Sequence, residues 1–569
     1  MGMWILEPKP LRHVPGTTQL YEDARSEESP NQRINLKRAT GRDSNMLLVP
    51  QPSDSPNDPL NWPLWKRDLT LVILCLAAAV AGVLGPAVAP INAVLVKEFN
   101  TTYHVVARFA GWQFWPAAVA GLIGSAFARV WGKRPVYLFS IILLFIGGIW
   151  NALATSADSF LGARVLQGLG LGAFETIVPS SIGDMYFVHQ RGKRIAFYNL
   201  SFLGSTYFMP VLGGYISMHH GWRAQFQIIS AFLGPIVFLI FFLVPEHAYN
   251  RPAIFNTDYA SEDNLSDLDE HLGQANAAVP DAAAKEANTD ASEAPAEPVS
   301  SGNTSAEVKK TFLQELKLYN GRFSDENFFK LLLAPLALFL YPATIWGFLF
   351  QGSFITWGIA VSVVLAQMFA GPPTNFTPEQ LGYMYAAPFL GAVIAYFAGS
   401  LLSDYLAKTL ARRNNNVYEP EFRIILVIPV AMFGLPGLYA YGHVAEMHLH
   451  WIVPSVLYGF LTFAVVMSCT ATFAYILDAH RDVSVEMLVS VLLLKNFFAF
   501  GATYFLVGWV ATDGPARVFD IMGAIQTAIC FLSIFIYFFG KVQRDFMNRH
   551  NLLKWLGLYP KSVSTIAVA

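Results

Sequence analysis

Five residues recur at steps of three and four along one stretch of the chain: Arg164, Gln167, Gly168, Gly172 and Glu175. On a helix that spacing places them on a single stripe. At 1.5 Å per residue, roughly 16 Å separates Arg164 from Glu175 along the axis, too far for direct contact. The surrounding residues are apolar, and an ionisable group there is costly unless it faces a cavity or a partner. Taking up a proton relieves that cost, which makes Glu175 a candidate proton carrier; its anionic form would instead attract a cation. Structural pairing is the competing reading. A second interruption, Lys495-Asn496, stands among Leu and Phe. Lys495 can neutralise a substrate carboxylate or pair with an acid on a neighbouring helix. Two further carboxylates, Asp184 and Asp478, close apolar runs and are each followed by a base, Arg191 and Arg481. They read as paired latches, with ordinary helix-end charge as the alternative. Asn92, Tyr207, Trp346, Gln351, Trp357 and Tyr475 join Gln167, Glu175, Lys495 and Asn496 as candidate lining of a binding cavity. Aromatic faces with sparse charge suit flat or cationic amphiphiles.

The elements that must position these groups are apolar. The chain has 569 residues, 54% hydrophobic and only 14% charged, with 45 phenylalanines. A soluble protein has too little polar surface to cover that much apolar side chain. The net charge of −2 points to no nucleic-acid partner. Cys75, Cys469 and Cys530 fall inside apolar runs without metal-ligand spacing, so free buried thiols are expected. No Gly-rich phosphate loop ending in Lys-Ser/Thr is present, which excludes ATP-driven transport within this chain, and no cofactor is expected beyond a proton gradient. No span pairs carboxylates, clusters histidines or aligns a nucleophile with a base, so the chain is not expected to be an enzyme.

About 20 apolar residues cross a bilayer core as a helix. Runs near 69–91, 105–127, 135–154, 160–182, 194–216 and 225–244 qualify, as do 341–365, 380–402, 422–441, 450–472, 484–510 and 519–539. The expected fold is an all-α membrane protein of twelve transmembrane helices in two six-helix bundles. Pro342 should break the seventh helix from a lead-in at 329–340. The division reads as a disordered tail over 1–60, an N-terminal bundle over 61–246, and a mostly disordered acidic linker over 247–328. A C-terminal bundle follows over 329–540, then a tail over 541–569. With the N-terminus inside, Arg129, Lys133, Arg134, Arg191, Lys193, Arg194, Lys408, Arg412, Arg413, Arg423 and Arg481 lie on the inner side. Only Lys97, Arg108, Arg223 and Arg517 lie outside. The positive-inside rule therefore makes both termini cytoplasmic. Two bundles on a compliant link are what a rocking carrier around a midplane site needs.

Several of these segments look like family motifs. Arg164-Val165-Leu166-Gln167-Gly168, with Gly170 and Gly172, resembles the fourth-helix motif of the major facilitator superfamily. Gly132-Lys133-Arg134-Pro135 is similar to the basic end of that family's loop between helices two and three, and Asp404 to its acidic member in the second half. Pro420-Glu421-Phe422-Arg423, Lys495-Asn496 and Asp58-Pro59-Leu60-Asn61-Trp62 resemble fungal members. Over about 58–545 the chain looks like the fungal drug:proton antiporter branch with twelve spans, which includes organic-cation and polyamine carriers. The resemblance implies secondary transport of a small organic substrate by a lipid-embedded monomer, in the plasma membrane rather than the vacuolar one. Its fourth-helix arginine is implicated in proton coupling. The expected coupling set is Arg164, Glu175, Asp184 and Asp478. The expected gating set is Lys133, Arg134, Arg191, Asp404, Arg423 and Arg481. Two positions depart from the pattern: Arg129 stands where an Asp is usual, and Met209 precedes Pro210 where Gly is usual.

Overall fold

Proline and glycine decide where the helices begin, bend and stop. The computed structural model describes residues 52–249 and 309–558, apart from Asp54, Asp325, Pro372, Asn415, Asn416, His448, Arg481 and Asp482, with short pieces of the first 51 residues. The first half holds α1 (Leu64–Glu98), α2 (Tyr103–Trp131), α3 (Arg134–Leu153), α4 (Ala157–Met185), α5 (Gln190–His220) and α6 (Trp222–Leu243). The second holds α7 (Pro342–Phe369), α8 (Pro378–Arg413), α9 (Pro420–Glu446), α10 (Ile452–Ala479), α11 (Ser484–Asp513) and α12 (Pro515–Arg549). A lead-in helix, Phe328–Leu340, precedes α7. Tyr341 is extended after it, and Pro342 opens the new helix, as the missing N–H of proline favours.

Among the described residues, eleven helices are long and apolar enough to cross a membrane. The twelfth, α4, is equally long at 29 residues but more polar, since it carries Arg164, Glu175 and Asp184. It stays dry by burying most of its surface against neighbouring helices. A Cβ added at Gly168 would meet the Gln113 carbonyl at 2.3 Å, and one at Gly172 the Ala117 carbonyl at 2.5 Å. Small residues let α2 and α4 approach that closely.

Two further features echo between the halves. Gly221 (φ +83°) joins α5 to α6 and Gly514 (φ +79°) joins α11 to α12, each in a backbone region that side chains avoid. The apolar core is divided likewise. One cluster runs from Leu71 to Val244, and the other from Ala334 to Leu553, taking only Ala89 and Tyr207 from the first half. Between them the halves meet along α2 against α11 and α5 against α8, and a cavity lies between these two seams. Phe139, Phe232, Leu401, Ile428 and Phe531 are exposed around the rim, as side chains facing lipid tails are. With an even number of crossings, both terminal segments lie at one end of the molecule, termed the tail face here.

The soluble pieces depart from expectation. The segment 250–308 lies outside the described residues, so the unfolding expected there is not addressed. The distal linker, however, packs on the tail face. Glu315 pairs with Lys66 at 2.7 Å, and the Phe323 N–H donates to the Val130 carbonyl at 2.8 Å. Pieces of the N-terminal tail are ordered too, with Ile5 and Val14 buried. Short apolar anchors inside polar sequence are enough to dock these pieces.

Candidate transport site

The α4 stripe and the α11 interruption converge. Glu175 receives Lys495 on one carboxylate oxygen and the Asn496 amide on the other, at 2.8 Å. Glu175 and Lys495 are each only 5% exposed. The pair joins the two halves, because α4 belongs to the first and α11 to the second. Tyr198 secures the acid's backbone, its hydroxyl donating to the carbonyls of Phe174 (3.0 Å) and Glu175 (3.3 Å). A buried pair gains little net stability, since desolvation offsets the attraction, but losing one partner strands the other at about 3–5 kcal/mol. Such a contact suits switching better than it suits holding the fold.

Glu175 and Lys495 border a cavity between the halves, enclosing about 1260 Å³ of unfilled space, open solvent included. Asn92, Tyr207 and Gln351 line it as well. The sequence did not single out Gln113, Asn199, Tyr385, Tyr458 or Phe473, which line it too. Their types are common in apolar helices, and only helix rotation turns them inward. π-Helical turns in α5 (Leu200–Gly204) and α7 (Phe348–Gly352) contribute to that rotation, bringing Phe202 and Gln351 to the wall.

Four expected lining residues are placed elsewhere. The Trp346 indole donates to Ser533 at 2.8 Å and packs on Phe350 and Tyr475 within the second-half core. Trp357 donates to Gln526 at 3.0 Å. Gln167 donates to the Gly147 carbonyl at 2.9 Å and accepts from Arg164. Trp346, Trp357, Tyr475 and Gln167 therefore serve packing between helices, because each turns its polar atoms or its ring to a neighbouring helix. Asn496 also stands off the cavity wall and reaches the site through Glu175.

Arg164 does not approach Glu175. Its guanidinium donates to the carbonyls of Leu84 (2.5 Å) and Gly85 (3.0 Å), and to Gln167 (3.0 Å) and Gln113 (3.3 Å). Leu84 and Gly85 end the regular part of α1, where Pro86 and Pro90 supply no N–H to the turns before them. Arg164 thus ties α4 to the point where α1 loses its regular geometry, through a fixed fork of donors.

On the tail face each latch acid has a base from another segment. Asp184 pairs with Lys133 at 2.7 Å, and Arg191 donates to the carbonyls of Gly183 and Tyr186. Asp478 pairs with Arg423 at 3.3 Å and accepts from the Tyr418 hydroxyl at 2.5 Å. Arg481 lies outside the described residues. Each acid is met by a base at the tail-face start of the preceding helix of its own half, Lys133 just before α3 and Arg423 in the first turn of α9, so the two halves repeat this contact. Arg134 donates to the carbonyls of Phe241, Glu315 and Lys317. Asp404 lies across the halves against Gly192, where an added Cβ would sit 3.1 Å from its carboxylate. Arg129 makes a further crossing on this face, pairing with Glu486 in the first turn of α11 and with Glu326 at 3.4 Å. His247, outside the spans, has its pKa lowered by burial and by Lys133, so it stays neutral beside Ser181.

The description of the Major Facilitator Superfamily matches residues 70–481, most of the chain. The chain belongs to the Major Facilitator Superfamily. As a superfamily member it is similar to an uncharacterized MFS-type transporter of Schizosaccharomyces pombe, 25% identical over 92% of this chain and 90% of the relative. It is similar to Protein HOL1 of Saccharomyces cerevisiae, 26% identical over 94% of this chain and 96% of that one. The MFS antiporter QDR3 of Candida albicans is 21% identical over 87% and 80%. Among solved structures, the proton:xylose symporter XylE superimposes with a TM-score of 0.53 at 15% identity, over 84% of this chain and 96% of its own. That likeness gives the superfamily fold. The Schizosaccharomyces relative is named a transporter and the Candida one an antiporter.

Proposed function

We propose that this chain is a proton-coupled carrier that exports small organic molecules (drugs, toxins or secondary metabolites) by alternating access. The observation that carries the reading is the Glu175–Lys495 pair, buried, shared between the halves and facing the cavity. A proton arriving on Glu175 removes the charge that holds Lys495, weakening the contact between the halves. A substrate entering the cavity replaces what the pair provided, and the halves tilt to the other side. Arg164 keeps the broken end of α1 in place during that motion, while Asp184 and Asp478, with Lys133 and Arg423, reset the tail-face ends. One relative is named an antiporter, and one structural neighbour a proton symporter, in keeping with coupling.

Import of organic cations or polyamines is the second reading. Glu175 and the rings of Tyr198, Tyr207, Tyr385 and Tyr458 around the cavity favour a cation, by charge and by ring quadrupole. On either reading the carrier acts as a monomer in the plasma membrane, with its tail face to the cytoplasm. The deciding experiment is a substrate screen in proteoliposomes under an imposed pH gradient. Uptake against the proton flow in direction supports export, uptake with it supports import, and flux indifferent to the gradient rejects coupling.

A further inference from the structure

The N-terminal segment reaches the half of the molecule to which it is not joined. Ile5 is buried with Ala407, Leu410, Tyr418 and Phe422, and the Leu6 N–H donates to the Phe538 carbonyl at 3.0 Å. Strand β1 (Thr18–Gln19) pairs antiparallel with β2 (Val417–Tyr418) in the loop between α8 and α9. Thr17 donates to Glu419 at 2.7 Å, the same carboxylate that takes Lys541 (2.6 Å) and Arg544 (3.0 Å) from α12. Gly16 holds φ at +92°, and a Cβ there would lie 2.7 Å from the Asp478 carbonyl and 3.1 Å from that of Ala479. The segment therefore touches the α8–α9 loop, the tip of α10 and the end of α12 together.

The tip of α10 is one of the places on the tail face where the halves meet. Leu477 packs against both apolar cores, and its neighbour Asp478 is latched by Arg423 and by Tyr418, whose strand β1 braces. We propose that the N-terminal segment is an autoinhibitory clamp. Docked, it pins the tip of α10 in the position that closes the cavity on the tail face; undocked, it lets that tip swing out. The inference rests on the cavity and the fold, and requires neither proton coupling nor a given substrate.

The test uses the native Cys469, which lines the cavity about 14 Å from the α10 tip. With Cys75→Ala and Cys530→Ala in the full-length chain, a membrane-impermeant methanethiosulfonate is applied to inside-out vesicles, and the rate of Cys469 modification is read. Deleting residues 2–19 is expected to raise that rate about fivefold, the low end of coupling between sites. Gly16→Val, which forces a side chain against the α10 carbonyls, should do the same, and the two together should give no further rise. Protease cleavage within the first 20 residues reports undocking, and thermal stability reports folding. Undocking with unchanged Cys469 modification overturns the proposal. So does a truncated protein that loses stability without any faster modification.

Discussion

Replacing Glu175 with Gln removes the charge shared with Lys495 and keeps nearly the same shape. The new side chain still offers an oxygen to the Asn496 amide, at present 2.8 Å from the carboxylate. Its NH2 then faces the Lys495 ammonium, donor against donor. Lys495, 5% exposed, is left without the carboxylate that balances its charge. The single change should therefore cost about 3–5 kcal/mol, the usual price of stranding one member of a buried pair. Lys495→Met should cost a similar amount by stranding Glu175. The double variant removes both charges, so it should lie close to the native protein and be more stable than either single variant. Reversible unfolding in mixed micelles, read across all four proteins, gives the coupling energy of the pair directly. Additivity within about 0.5 kcal/mol would refute the reasoning, since residues in contact couple more strongly than that.

Three other outcomes follow from the same geometry. Arg129→Glu should open the tail face by setting like charges against Glu486 and Glu326; because Arg129 is part-exposed, the shift should be about 1 kcal/mol. Adding Glu486→Arg should restore native accessibility at Cys469, and failure to restore it argues against the contact. Gly168→Ala places a Cβ 2.3 Å from the Gln113 carbonyl and should destabilise by about 1–3 kcal/mol, whereas Gly183→Ala, with open space around it, should stabilise by about 0.5–1 kcal/mol; thermal melts in detergent compare them. His480, between spans, has its pKa lowered to about 3 by burial and by Arg544. The unfolded chain then binds more protons than the native one between pH 6.5 and about 3, so stability falls as pH drops through that window, by about 2 kcal/mol at pH 5. His480→Gln should flatten that slope.

The helices were legible because their signal is coarse: length, apolarity and proline breaks reach all the way to Pro342 and the lead-in helix. Glu175 and Lys495 were legible for a related reason, since charge deep in an apolar run must meet something. That they meet each other depends on how α4 and α11 are rotated, and no spacing within either helix encodes it. Trp346, Trp357 and Tyr475 show the opposite failure, as aromatic residues look alike whether they face a cavity or a core. Lys133 as a base for Asp184 was not legible from spacing. Lys133 is 51 residues from Asp184 in sequence yet meets it at 2.7 Å, because the two segments share one end of the bundle. The docked tail was hidden by polar composition, its anchors being single residues such as Ile5 and Val14.

The central claim is that a proton on Glu175 is what couples the cavity to the gradient. The most direct measurement compares native and Glu175→Gln protein in proteoliposomes, reading substrate exchange at equal pH and accumulation under an imposed pH gradient. The account predicts that Glu175→Gln still exchanges substrate but no longer accumulates it. Gradient-driven accumulation at the native level in that variant would contradict it.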